Sequence, residues 1–312
     1  MSALEPTIGS FEKRDINDLL ARLIRDLGNP EPPLRLEDVR ALQKLDLTYY
    51  SKTDLNLLDE MAHRARMGGN FLMTSAKRMV EVVEKYRLRG LLMVNDDQRK
   101  IFIDNDVVQL KRRFIISHEI LHDLLPWHRS LLLGDNESTL SPSCHQDMEA
   151  EANYGARRLL FMGDRFAREA KDLDLSWNSV KLMKERYGNT LTTAVWHMVC
   201  ERFPDHPVFG LISRHPLHHD IGGGDDGRDV THMMRSNGFQ MRFGSFTESD
   251  AFNAVRTYIS GKKRGPLGDG ICYINDANGE SCAFEVTSFS NGYDVLTLGS
   301  FVNMKPLIFP VG

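Results

Sequence analysis

The chain has 312 residues, 41% of them hydrophobic, and a net charge of −4 at pH 7. That length suffices for two domains with their own cores, so neither a disulfide nor a metal is needed merely to fold. The acidic balance argues against direct nucleic-acid binding, and no apolar run approaches the roughly 18 residues of a membrane span.

The N-terminal stretch "MSALEPTIGSFEKRD" has no apolar signal core, so the expectation is a cytoplasmic protein. Cys144, Cys200, Cys272 and Cys282 form no CxxC and are expected to be free thiols in a reducing compartment.

Apolar spacing at Ile16, Leu19, Leu20, Leu23 and Ile24 predicts a helix over 14–28. "NPEPP" at 29–33 breaks it, and "LRLEDVRALQKL" (34–45) reads as a second helix. "LDLTYY" reads as a strand, residues 55–86 as helix-rich, and "GLLMVNDDQRKIFID" (90–104) as a hairpin around a polar turn. A helix is expected from about 108 to 125, a loop over 129–147, then helices over 148–170, 175–187 and 190–203.

From 203 to 227 the chain is rich in Pro, Gly, His and Asp. Strand-like runs follow: "FQMRFGSF", "GICYIND", "SCAFEVTSF" and "YDVLTLGSFV". The expected organisation is α+β. A mainly helical domain with a small sheet spans 1–205, a linker 206–227, and a smaller α+β domain 228–312.

Within the helix at 112–125, His118-Glu119-Ile120-Leu121-His122 matches HExxH. Two histidines four apart share one helical face, where both imidazoles can hold one Zn²⁺. Glu119 points roughly 100° from His118, placed to act as general base instead of ligand. Chance produces this motif in roughly one chain in a hundred of this length. Its helical setting and the polar Ser117 and Glu119 weigh against chance.

Catalytic zinc usually takes a third protein ligand. Glu149, 27 residues after His122 on the helix over 148–162, is the preferred candidate. Asn153, four residues further on the same face, suits a partner that orients a zinc histidine. Glu151 is the rival, facing about 200° away, and His128 and His145 are loop histidines that remain alternatives. Cys144, read as a loop residue between the two helices, is a candidate inhibitory fourth ligand, since a thiolate there would displace the catalytic water. "RHPLHHD" (214–220) has no metal-ligand spacing that can be defended and reads as polar linker.

The stretches "RRFIISHEILHDLL" (112–125) and "EAEANYGARRLLFM" (149–162) resemble the ImmA/IrrE family of bacterial zinc metallopeptidases over roughly residues 35–200. Arg113-Phe114 opens the first block; Glu149, Ala152, Asn153, Ala156, Leu159 and Leu160 fill the second. Gly155 departs from the family's usual Phe, and Met162-Gly163 from its Met-Pro. The resemblance implies a zincin-like fold, zinc on His118, His122 and Glu149, and Glu119 as base. It further implies cleavage of a partner helix-turn-helix transcriptional repressor, relieving repression in a DNA-damage, stress or phage-defence response. A GAF-like C-terminal sensor domain over 228–312 is also implied. The alternative from another class is a non-catalytic zinc-binding module that sequesters the repressor.

Overall fold

The computed structural model describes residues 8–51, 53–54, 56–60, 63, 89–95, 98–128, 142–222 and 227–304. The chain divides into two compact units between Asp164 and Arg165, and both mix helices with a sheet.

In the first unit, α1 (Ser10–Asp26) buries Ile16, Leu20 and Leu23, a 4-then-3 spacing that lines one face. α2 (Leu36–Gln43) stops at Lys44, which is left-handed at φ 53°, and β1 (Leu45–Tyr50) begins at once. β2 (Gly90–Asn95) and β3 (Gln98–Asp104) form the expected hairpin, and β1 joins β3 in parallel. The order β1-β3-β2 leaves β3 central and β2 at an edge. Ile101, Phe102 and Ile103 are all fully buried, as expected of a strand covered on both faces.

Two helices carry the site. α3 (Gln109–Leu124) packs on β2 and β3, and α4 (Pro142–Leu160) packs on α3 and α1. Arg99 on β3 donates to both carboxylate oxygens of Asp123 on α3, at 3.0 and 2.8 Å. On α1, Asn17 joins Tyr154 and Arg158 of α4, at 3.0 and 2.9 Å.

Gly155 stands where α4 meets α3. A Cβ there would lie 2.5 Å from Leu121 Cδ1. The glycine therefore marks a close helix–helix contact without room for a side chain. Gly163 has φ +63°, which a proline ring cannot adopt.

Several expectations need correction here. Residues 142–147 are helical, not loop, because α4 starts at Pro142. The single helix over 148–170 is two, since Met162 and Gly163 are both left-handed and α5 (Arg165–Lys171) starts afresh. Of 55–86, residues 56–60 are helical; most of that reading lies outside the described residues.

In the second unit, α6 (Trp177–Tyr187) is capped by Ser176 and α7 (Leu191–Cys200) by Thr190, each accepting a backbone N–H with its side-chain oxygen. The sheet comprises β4 (Val208–Ser213), β5 (Val230–Arg235), β6 (Gly265–Asn275), β7 (Ser281–Ser290) and β8 (Val295–Met304). It is antiparallel with order β5-β4-β8-β7-β6. α7 packs on β4, β5 and β8, while α8 (Asn237–Phe243) and α9 (Glu248–Arg256) pack on β4 and β5. Phe209, Phe239, Phe243, Phe252 and Phe284 form the core of this unit.

The predicted boundary near 205 and the linker 206–227 are therefore misplaced. β4 lies inside that segment, is buried along its whole length, and pairs on both sides. "FQMRFGSF" is also not a strand. Phe239 and Phe243 alternate with polar residues, but they are four apart and share the buried face of α8, which Ser236 caps by accepting from Phe239 N–H.

Candidate metal centre

The HExxH spacing sits on the last turns of α3, and the packing of α4 on α3 brings one carboxylate to both histidines. His118, His122 and Glu149 converge, with one ligand atom of each lying within 4.8 Å of the others. His118 Nε2 and His122 Nε2 are 3.1 Å apart. Glu149 Oε2 is 3.3 Å from His118 Nε2, and its Oε1 is 3.4 Å from His122 Nε2.

These distances test the fit to zinc. Ligand atoms about 2.0–2.1 Å from a tetrahedral ion lie about 3.3 Å from one another, from the tetrahedral angle. The His118–His122 separation and the approach of each imidazole to one of the two Glu149 oxygens bracket that value, and two imidazoles with one carboxylate are a zinc donor set. The residues therefore fit the metal.

Electrostatics distinguishes the three groups. For His118, burial disfavours the imidazolium, but the hydrogen-bonded Glu149 and the charge of Glu119 outweigh it, and the pKa is raised. For His122 burial wins and the pKa is lowered. Burial would push Glu149 up, yet the two histidines hold it well below the usual carboxylate range.

Glu119 is buried on the side of α3 that faces β2. Burial pushes its pKa up to about 7, with His118 and the Leu92 N–H pulling down and Glu149 pushing further up. Gly90 makes room for it: a Cβ at that position would stand 2.7 Å from Glu119 Oε1.

Asn153 lies beside His118 and favours its charged form, but buried His118 Nδ1 has no hydrogen-bond partner in regular geometry. Cys144 falls in the first turn of α4, not in a loop; its side chain and that of His145 lie outside the described residues.

His128 is not an exposed loop residue. Leu125 precedes Pro126 and is extended, at φ −80° and ψ 111°, as a residue before proline tends to be. The chain leaves α3 there and places His128, fully buried, beside His122, with their Nδ1 atoms 3.0 Å apart. Glu151, the rival ligand, instead meets His128 Nε2 at 2.9 Å and accepts from Trp127 Nε1 at 2.6 Å. Burial pushes Glu151 up, but these two donors outweigh it and its pKa is lowered. The sequence puts Glu151 and His128 forward only as alternative ligands, and no pattern in it announces their pairing or the role of Gly90; only the proline after Leu125 hints that the chain turns back.

In "RHPLHHD", His215 Nε2 and His218 Nε2 face the carbonyls of Lys262 and Gly261 at 3.1 and 2.7 Å. Those histidines pin a turn, and among the described residues the metal-ligating cluster is the one on α3 and α4.

No protein-family model matches the chain, and no curated protein gives a significant match. Among solved structures, a Mycobacterium tuberculosis transcriptional regulator is similar with a TM-score of 0.48 at 11% identity, covering 92% of this chain and 88% of that one.

Proposed function

We propose that this chain is a cytoplasmic zinc-dependent endopeptidase of ImmA/IrrE type. Its substrate is a partner helix-turn-helix transcriptional repressor, and cleavage relieves repression in a stress, DNA-damage or phage-defence response. The observation that carries the reading is the donor triangle of His118, His122 and Glu149 with a buried carboxylate, Glu119, one residue from its corner. In this reading the first unit is zincin-like and catalytic. The second is a GAF-like sensor, supported by its five-stranded antiparallel sheet with helices against it. Among the described residues no helix is long and apolar enough to cross a membrane.

Bound zinc supplies Lewis acidity toward a peptide carbonyl. The protein's own groups do the rest. Glu119, held by the Leu92 N–H, takes a proton from the attacking water and delivers it to the leaving amine. β2, at the sheet edge beside α3, offers backbone groups to an extended peptide by strand addition.

The test is metal content and turnover together. Wild type should hold about one zinc per chain, and Glu149→Ala should lose it. Glu119→Ala should keep zinc and repressor binding but lose cleavage. A Glu119→Ala protein that still relieves repression fully would favour the sequestering module over the enzyme.

A further inference from the structure

His128 and Glu151 belong to one chain of hydrogen bonds that ends on the ligand His122. Trp127 Nε1 donates to Glu151 Oε2 at 2.6 Å, and His128 Nε2 lies 2.9 Å from the same oxygen. His128 Nδ1 lies 3.0 Å from His122 Nδ1, and His122 Nε2 faces His118 and Glu149. The chain ties the end of α3 to α4, the helix that also supplies Glu149.

The positions of the hydrogens follow by elimination. An indole N–H only donates and an ionised carboxylate only accepts, so the hydrogen between His128 and Glu151 sits on His128 Nε2. With that as its single ring hydrogen, His128 offers a lone pair at Nδ1. The hydrogen of the next contact must sit on His122 Nδ1, and the lone pair of His122 is left on Nε2, the atom in the donor triangle. The opposite tautomer would place a hydrogen on Nε2, where a metal ligand needs a lone pair.

We propose that Glu151 and His128 are positioning residues for the metal: a carboxylate–histidine relay that holds His122 in its Nδ1–H tautomer and presents Nε2 to the ion. The inference rests on the metal-centre reading above. It adds an intervening imidazole to the usual arrangement, in which a ligating histidine donates directly to a carboxylate or carbonyl. His128 is fully buried, so both of its nitrogens depend on these two partners. Glu151 has a second donor in Trp127, which fixes the carboxylate at the head of the relay.

The experiment uses the full-length protein. Zinc affinity is measured by competition with a chromophoric chelator, and ring tautomers by two-bond ¹H–¹⁵N correlation on protein stripped of metal. Three proteins are compared, with thermal unfolding as a control for folding: wild type, His128→Leu and His128→Gln. The leucine removes both nitrogens at similar bulk; the glutamine restores an acceptor and a donor. His128→Leu should weaken zinc binding about 10- to 100-fold and abolish the Nδ1–H preference of His122, while His128→Gln recovers most of the affinity. Zinc-competent wild type with His122 protonated at Nε2 would overturn the relay alone, as would a folded His128→Leu of unchanged affinity. Wild type that takes up no zinc would overturn the metal centre, and the relay's positioning role with it. The wild-type tautomer decides the matter even if the leucine variant fails to fold.

Discussion

The backbone of Gly90 on β2 lies directly over the carboxylate of Glu119 on α3: a Cβ at this glycine would stand 2.7 Å from Glu119 Oε1 and 2.5 Å from Ile115 Cγ2. Ile115 and Glu119 are four apart on α3, so one added methyl presses on both. Gly90→Ala should therefore displace the proposed base while sparing the proposed ligands His118, His122 and Glu149. Misplacing a catalytic group by about 1 Å can cost on the order of 100-fold. The expected result is a 10- to 100-fold fall in kcat with zinc content unchanged, read by repressor cleavage and elemental analysis. Full turnover in this variant would remove Glu119 from the proposed mechanism.

Gly155 and Leu121 make the corresponding contact between the two ligand helices. Alanine is the better helix former by about 0.5–1 kcal/mol. Here it would place Cβ 2.5 and 2.7 Å from Leu121 Cδ1 and Cγ, and 3.3 Å from Ile16 Cγ2. Leu121 and Ile16 are fully buried, so neither side chain can swing into solvent. Overpacking costs about 1–3 kcal/mol, which exceeds the propensity gain. Gly155→Ala should lower stability by roughly 1–2 kcal/mol net in urea unfolding. A stabilised variant would show that the helices separate without cost.

The parts of this site that were legible in the sequence are those with a local period. His118 and His122 are one helical turn apart, so their shared face follows from spacing alone, and Glu149 follows from needing a carboxylate on the next helix. Leu45–Tyr50 and the 90–104 hairpin were readable from alternation and a polar turn. What failed was whatever depends on two segments meeting. β4 has no alternation because both its faces are covered, and its Pro- and His-rich neighbours resemble a linker. Phe239 and Phe243 alternate with polar residues, yet they also satisfy a helical spacing, and only the Ser236 cap decides between the two. His128 reads as a loop histidine because its partners, His122 and Glu151, are brought to it by the break at Pro126 and by the packing of α4.

Arg99 and Asp123 test how far the site depends on the sheet beneath it. The Asp123 side chain is fully buried, and that of Arg99 is 21% exposed. The guanidinium also donates to the carbonyl of Gln43, so one side chain ties α2, β3 and α3 together. Removing one partner of a buried pair costs about 3–5 kcal/mol, because the other charge remains buried. Arg99→Met keeps the aliphatic stem but withdraws the guanidinium from Asp123. The variant should lose about 3 kcal/mol in urea unfolding. The double variant Arg99→Met/Asp123→Leu should recover much of that loss. Equal stability of Arg99→Met and wild type would mean that Asp123 draws its support from other groups.

In the second unit, Glu169 gathers three donors and provides a test by pH. Arg186 donates at 2.6 and 3.0 Å, Arg165 at 2.9 Å and the Tyr187 hydroxyl at 2.9 Å. The Arg186 hydrogen bonds are the largest influence; burial opposes them, Arg165 and Tyr187 add to them, and the pKa falls from 4.5 to about 2. The folded state thus binds this proton more weakly than the unfolded state does. Its stabilisation is fully present above the unfolded value near 4.5 and is lost as pH falls towards about 2. Unfolding of this unit should therefore become easier across that window. Glu169→Gln, which cannot ionise, should be less stable than wild type at neutral pH and should show a shallower acid limb. Urea midpoints measured from pH 6 down to pH 2.5 on both proteins provide the check, across a window taken from these two pKa values. Parallel curves would mean that Glu169 titrates alike in the folded and unfolded chain.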